Sequence, residues 1–528
     1  MSTLRRARQQ SVGDIPRRTA GRFPNKTAIV DGDTRLTFAE FDERIDRVAA
    51  ALTEEGFGKG DTLALLSRNC WQFPVLTFAT ARIGMGCVPI NFMLTDNEIA
   101  YILDHSEATA FVVGQGLTEV ADRALGLSER RVRLTASIGS AEPLRGWSSV
   151  EDWMGRHGVV PDVAVDDDDP IRLMYTSGTE SRPKGAVLSS RSLMWQYMSC
   201  IVSGEMHAED VEVHALPLYH CAQLDNFLST DIYLGATSII LDGPNIEVLL
   251  RTIESERVTN LFGPPTVWID LLRSPLFERT DLSSLRKGYY GASPMPVEIL
   301  AEMTERLPNV SLWNLYGQTE MASVATVLGP ADQVSHAGSA GRPALNVETR
   351  IVDEHDHPLP SGEVGEIVHR SPQATSGYFR APEKTAEAFR GGWFHSGDLG
   401  YLDTNGYLYV VDRKKDMIKS GGENVATREV EEVLYQMDSV AEAAVFGIAH
   451  PRWIEAVAAT VVPRAGRHLT DSMIIDFCRT RLAGYKVPKV VHIVDSLPKN
   501  PSGKILKRAL RDEFGTTVKP EIHRSVDG

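Results

Sequence analysis

Cysteine is scarce, and its spacing excludes two kinds of scaffold. The 528 residues hold five, Cys70, Cys87, Cys200, Cys221 and Cys478. They are odd in number, far apart, and never in a C-x-x-C or Cys/His spacing. Neither a disulfide framework nor a structural zinc is expected, and a reducing compartment, the cytoplasm, is. Positive charge is also short: 55 Lys and Arg against 70 Asp and Glu leave a net charge of -15. That argues against a nucleic-acid partner. No uncharged run reaches the length of a transmembrane segment. The Arg-rich start has no apolar stretch behind it and does not read as a secretory signal; a transit segment stays open. What is present is an ordinary globular composition, 42% hydrophobic and 24% charged, in a chain too long for a single core.

Apolar periodicity describes an α/β chain. Thr37 and Glu40 fit a capping box ahead of Phe38, Phe41, Ile45, Val48, Ala49 and Leu52 at helical spacing, with Gly56 as the stop. A strand over 62–66 and a helix over 73–83 follow, and this alternation predicts stacked α/β layers. Further strands are expected at 211–218, 236–241, 260–262, 288–291 and 311–315, with helices at 246–256 and from Pro296. From Val347 the texture changes to hairpins. After the charged break Asp412-Arg413-Lys414-Lys415-Asp416 come a helix from Arg428, strands at 441–445 and 456–462, and a helix over 471–482. Met473, Ile474, Phe477 and Cys478 share one face of that helix, and Cys478 reads as core. The expected architecture is α/β: a large multi-sheet N-terminal domain over 1–413 with stacked α/β layers and a small β-rich subdomain, then a small mobile α+β domain over 414–528. The residues after Phe514 read as a loose terminus. Asp166 to Asp169 reads as a solvated linker rather than a metal site, and His355-Asp356-His357 as an exposed turn.

Several predicted strands end in small or polar residues. Ligands in open α/β sheets sit beyond the carboxyl ends of strands, so these ends are candidates for one shared cleft. The first is Tyr175-Thr176-Ser177-Gly178-Thr179-Glu180-Ser181-Arg182-Pro183-Lys184-Gly185. Its hydroxyls and backbone N–H groups suit phosphate oxygens, with Lys184 as a point charge. It lacks the G-K-[ST] spacing of a Walker A loop. By itself it reads equally well as a surface hairpin.

Four later motifs resolve that ambiguity. Tyr316-Gly317-Gln318-Thr319-Glu320, Ser396-Gly397-Asp398, Asp412-Arg413 and Pro501-Ser502-Gly503-Lys504 follow the loop in order. Together the five motifs resemble the adenylate-forming superfamily of acyl-CoA synthetases, luciferases and peptide-synthetase adenylation domains, over about Ile15 to Leu510. The stretch from Lys415 to Val425 and Lys499-Asn500-Pro501 most resemble bacterial fatty-acyl-CoA synthetases.

The resemblance implies an ATP-dependent acid–CoA ligase. The substrate carboxylate attacks the α-phosphorus of ATP with loss of pyrophosphate, and the thiol of coenzyme A then opens the acyl-AMP. It implies Thr176, Ser177, Gly178, Thr179 and Lys184 at the phosphates, Glu320 and Thr176 at Mg²⁺, and Thr319 at the α-phosphate. Tyr316 would offer its ring to the adenine, with Gly291, Ala292 and Ser293 along the base's other side, and Asn314 and Gly317 would belong to the same cofactor-binding set. Asp398 and Arg413 would hold the ribose, and Lys504 would meet the carboxylate and α-phosphate, where charge accumulates. A hinge at Lys415 would exchange Lys504 for Lys419, Gly421 and Gly422, which would line the CoA path. His220 reads either as the gate of the acyl pocket or as a packing histidine, and His395 as structural. The substrate is expected to be a medium or long fatty acid, with aryl, branched and sterol-derived acids open. Transfer to a carrier protein, amino-acid activation and a silent nucleotide sensor are the rival readings, and homodimerisation stays open. The common superfamily loop has Thr and Gly where this chain has Glu180 and Ser181, and Glu180 is expected to point away from the phosphates.

Overall fold

The computed structural model describes residues 4, 7–139, 146–160, 162–176, 183–293, 295–420, 423–450, 453–500 and 503–515. The expectations for Glu180, Ser181 and the tail after 515 lie outside these. The capping box at Thr37 and Glu40 is made in both directions, and the helix runs Phe38–Glu54. Its apolar face, with Phe41, Ile45, Val48 and Leu52, is fully buried.

Two large sheets carry the first three-quarters of the chain. One has seven strands, in spatial order Ser148–Ser149, Leu134–Ser137, Ala110–Val113, Thr62–Leu66, Gly86–Ile90, Pro170–Thr176 and Lys184–Ser189. All its pairings are parallel except the last. The alternation of side chains along Thr62–Leu66 divides the core. Leu63 and Leu65 pack with the helices Phe38–Glu54 and Gln72–Arg82, whereas Ala64 and Leu66 pack with Asp96–His105 and Thr118–Leu127. The second sheet has nine strands. Its centre is the parallel run Val211–His214, Asn260–Gly263, Lys287–Gly291 and Ser311–Tyr316. Its far edge is the N-terminal hairpin Thr27–Asp31 and Thr34–Thr37, which joins through Thr237–Ile240. Ile29 and Ile240 of this sheet belong to the same buried cluster as Leu63 and Leu65, so the layers are stacked as expected.

A four-stranded antiparallel sheet, Glu348–Val352, Gly365–Arg370, Phe394–Leu402 and Leu408–Arg413, follows. The remainder is a smaller C-terminal domain around a five-stranded sheet whose long members are Val440–His450 and Ile454–Pro463. Its helix Asp471–Arg479 buries Ile474 and Cys478 completely, but Met473 is 48% exposed. The shared face expected for Met473 does not include it: Ile474 and Cys478 form its centre, and Ile475 and Phe477 pack part-buried against the same cluster. The strand expected over 211–218 stops at His214, and Pro217 accepts a turn hydrogen bond from the His220 amide. Asp166 to Asp169 forms a turn tied to Lys59 and Arg191. His395 lies between Glu366 and Asp356, a structural placement. Among the described residues no helix is long and apolar enough to cross a membrane.

Candidate active site

Three polypeptide segments that are remote in sequence meet at the carboxyl ends of the central parallel strands. The first is the end of Ser311–Tyr316. A Cβ on Gly317 would lie 2.0 Å from the Ser323 carbonyl oxygen, so the turn accepts only glycine. A short 3-10 turn, Thr319–Met321, follows and closes through Ala322 and Ser323, both at positive φ (55° and 140°). Such backbone is strained for residues with a side chain, and here it presents Thr319 and Glu320 together.

The second segment is the strand carrying Asp398, paired in register with Arg413. The Asp398 carboxylate is nearly buried and already engaged. The Tyr316 hydroxyl donates to Oδ2 at 2.7 Å, the Gln318 amide donates to the same oxygen at 3.1 Å, and Arg413 stands 3.4 Å from Oδ1. Burial and the Asp398 charge push the Tyr316 phenol well above its usual range, so it stays a donor. His369 packs against the Tyr316 ring, with 6.1 Å between centroids. Burial pushes this histidine down to about 3, so it is neutral.

The third segment is the loop of Lys504, from the C-terminal domain. Asn500 Oδ1 accepts from the Lys504 amide at 2.8 Å, and the Gly503 carbonyl accepts from the Thr266 hydroxyl at 3.2 Å. Gly503 has φ 78°, and a Cβ there would lie 2.6 Å from Thr266 Oγ1. Burial, with the nearby Arg413 and Lys415 cations, lowers the Lys504 ammonium to about 8. Burial and the Lys504 charge lower His220 to about 4. His220 is therefore a neutral side chain facing the Lys504 cation. Next to it, the Cys221 thiol lies 3.4 Å from Thr319 Oγ1, and burial pushes it up to about 12. Cys221 leads into a π-helix, Ala222–Leu228, a rare form that marks functional regions.

Of the residues expected at this site, Lys504, His220, Thr319, Tyr316, Asp398 and Arg413 are brought together. Glu320 joins them, with Oε1 accepting from the Tyr378 hydroxyl at 2.8 Å. Thr176 and Lys184 pair in register at the two ends of the expected phosphate loop, while Ser177, Gly178 and Thr179 lie outside the described residues. Gly291 ends its strand with no room for a Cβ, which would fall 2.3 Å from the Leu315 oxygen. Ala292 follows at φ 63°, exposed, then Ser293. Asn314 is turned to the Ser339 carbonyl at 2.9 Å, so its side chain supports the strand rather than facing the cleft openly. Lys419 is exposed on the short strand Ile418–Ser420 of the C-terminal sheet, in contact with none of these groups; Gly421 and Gly422 lie outside the described residues. Gln318, Cys221, His369 and Tyr378 were not singled out from the sequence. Gln318 stood within a quoted motif, and the others had no local signal.

Among the described residues there is no group of three or more His, Cys, Asp or Glu able to hold a metal ion. Magnesium keeps much of its water and binds through one or two carboxylates and substrate phosphates. Glu320 offers one such carboxylate, and Thr176 a hydroxyl on the strand that enters the loop.

Residues 16–379 match the AMP-binding enzyme family, and residues 429–504 match the C-terminal domain of AMP-binding enzymes. The chain belongs to the AMP-binding enzyme family. This AMP-binding enzyme is 37% identical to a feruloyl-CoA synthase of an Amycolatopsis species over 509 residues, 96% of this chain and 100% of that protein. It is 33% identical to the long-chain-fatty-acid–CoA ligase FadD13 of Mycobacterium tuberculosis over 514 residues, 96% of this chain and 99% of that one. Its fold superposes on the anthranilate CoA ligase AuaEII in complex with anthranoyl-AMP with a TM-score of 0.89 at 26% identity, covering 95% of this chain and 97% of that chain. The AMP-binding enzyme is an acid–CoA ligase of the AMP-forming class, with ATP, Mg²⁺ and CoA as its cofactor and co-substrates.

Proposed function

We propose that this ligase activates a compact aryl carboxylic acid rather than a long fatty acid. The observation that carries the reading is the polar and aromatic packing of the π-helix that follows His220 and Cys221. On the π-helix, Asn226 Oδ1 accepts from Gln196 at 2.5 Å and from Ser323 at 2.7 Å. The next residue, Phe227, stacks on Phe262 at 4.5 Å and packs on Tyr289 at 5.2 Å, and all three rings are buried. A long acyl chain needs an apolar tunnel, and in this reading the aromatic rings packed behind the π-helix keep the acyl pocket short. The feruloyl-CoA synthase, and an indoleacetate–CoA ligase at 34% identity, support the aryl reading. The fatty-acid reading keeps the support of FadD13.

In this proposal Asp398 and Arg413 hold the ribose, and Tyr316 and Gly291 to Ser293 the adenine. The carboxylate oxygen and the α-phosphate meet at Lys504, whose ammonium stabilises the charge gathered there. Neutral His220 shields that ammonium from water without competing for the carboxylate. Glu320 and Thr176 would hold the Mg²⁺, which offsets phosphate charge. In this proposal Lys415, just past the division at Arg413/Lys414, is the pivot. The Lys504 loop docks for adenylation and leaves for the thiol step, when Lys419 and its hairpin reach the cleft. Five unbridged cysteines support a reducing, cytoplasmic setting.

The test is a panel of acids from benzoate and cinnamate types to palmitate, with ATP and Mg²⁺, with and without CoA. Hydroxylated aryl acids should give the highest kcat/KM, and thioester only when CoA is present. A preference for C12–C16 chains would refute the aryl assignment; an adenylate indifferent to CoA would refute a thioester-forming role.

A further inference from the structure

The segment 375–379 has no part in the expected chemistry, yet it is laced to two pieces of the site. Its backbone runs beside the strand that leaves the phosphate loop. The Val187 amide donates to the Gly377 carbonyl at 3.0 Å, the Ser376 amide donates to the Val187 carbonyl at 3.0 Å, and the Phe379 amide donates to the Gly185 carbonyl at 2.8 Å. On its other side the Thr375 amide donates to the Glu320 carbonyl at 2.7 Å. One side chain repeats that connection. The Tyr378 hydroxyl donates to Glu320 Oε1 at 2.8 Å, and the Lys184 ammonium lies 5.4 Å from the centre of the Tyr378 ring. Among the described residues no hydrogen bond reaches Glu320 Oε2.

We propose that Tyr378 is a positioning residue that fixes the Glu320 carboxylate and the Lys184 ammonium relative to each other across the triphosphate. Its hydroxyl occupies one lone pair of Oε1 and sets the carboxylate plane, so that Oε2 is presented to the cation. Its ring holds the ammonium by a cation–π contact. A carboxylate on a short strained turn otherwise has free rotation about its terminal torsion. A hydrogen bond to the charged oxygen restricts it and also prevents Glu320 from pairing with Lys184. The backbone ties through Thr375 and Val187 make the arrangement a rigid frame. The inference rests on the reading that Glu320 holds Mg²⁺.

The test is ATP binding by calorimetry, at a series of Mg²⁺ concentrations and in EDTA, for the full chain and for Tyr378→Phe, Tyr378→Leu, Glu320→Gln and the double variant Tyr378→Phe/Glu320→Gln. Tyr378→Phe should raise the Mg²⁺ concentration for half-maximal tightening about three- to tenfold, the effect of one lost charge-assisted hydrogen bond, and leave ATP binding in EDTA unchanged. Tyr378→Leu, which also removes the ring from Lys184, should weaken binding in EDTA as well. In the double variant the Tyr378→Phe effect should vanish, because the two residues act as a unit. A Tyr378→Phe protein with unaltered Mg²⁺ dependence, beside a Glu320→Gln protein that has lost it, overturns the positioning role and leaves the metal reading intact. Equal losses with and without Mg²⁺ in Tyr378→Phe mark it as a purely structural residue. A Glu320→Gln protein with normal Mg²⁺ dependence overturns both.

Discussion

The Lys504 ammonium offers the sharpest test of the site. Burial and two neighbouring cations lower it to about 8. At pH 7 about nine-tenths of the free enzyme therefore carries the charge, and at pH 9 only about a tenth. If the charge serves adenylation alone, kcat/KM for ATP-dependent pyrophosphate release should fall about tenfold per unit above pH 8. Bound triphosphate favours the ammonium, so the same limb in kcat should move to higher pH. Lys504→Arg keeps a charge that no accessible pH removes, and its profile should stay flat through pH 9.5, whatever its absolute rate. Lys504→Ala should lose about 10²–10³-fold in adenylation, the scale set by removing one preorganised group at the reacting centre. Thioester formation from supplied acyl-AMP and CoA should change less than about threefold in either variant on the same principle. The assay is paired: continuous pyrophosphate detection for the first half, and thioester absorbance for the second, between pH 6 and 10. An unchanged alkaline limb in Lys504→Arg would show that another group titrates. Equal losses in both halves would refute the idea that Lys504 serves one step and withdraws for the next.

Two further outcomes follow from packing. Gly503→Ala places a Cβ 2.6 Å from Thr266 Oγ1 and 2.9 Å from Pro264 at a left-handed φ of 78°. It should slow adenylation about tenfold, the equivalent of ~1.4 kcal/mol, while sparing the thiol half-reaction; equal slowing of both halves would show that this docking is not specific to adenylation. Glu212 is fully buried in the central sheet, and burial, with Asp231 and Asp210 nearby, raises its carboxyl well above the usual range. The unfolded chain then releases the proton first as pH rises. Stability should fall from the ordinary carboxylate pKa upward to the raised folded value. Glu212→Gln removes that slope, so thermal melting at pH 8 should rise by about 1–3 °C relative to the parent and change less at pH 5. A loss that is the same at both pH values would show that Glu212 is held for packing alone.

The parts of the site that were legible in advance are those whose chemistry is local. Small hydroxyl residues before Lys184, the Tyr316-to-Glu320 run, Asp398 and the Pro-Ser-Gly-Lys turn are short stretches whose residue types suit phosphate, ribose or carboxylate in the reading proposed above, although Ser177 to Thr179 and Pro501-Ser502 lie outside the described residues. The capping box at Thr37 and Glu40 was readable for the same reason, since its donors and acceptors lie three residues apart. Tyr378 was not. It lies 58 residues from Glu320, and nothing in its neighbours distinguishes a hydroxyl that meets a carboxylate from one that meets water. Met473 was misplaced because helical spacing defines a stripe but not its width, which the facing sheet decides.

Taken by itself, the sequence determined the reaction class and the order of its parts, because adenylate chemistry demands particular groups at particular short spacings. It also determined the alternation of strands and helices, through hydrophobic period. The tertiary structure decided everything that depends on distant segments. It joined Thr27–Asp31 to Thr237–Ile240, set neutral His220 against Lys504, and turned Asp398 to Tyr316, Gln318 and Arg413. It tied the Asn226 amide to Gln196 and Ser323 and stacked Phe227 on Phe262 behind the π-helix. Which strands pair, and which remote side chains meet, leaves no periodic trace in the chain; it is settled only when the layers close and each buried polar group has to find its partner.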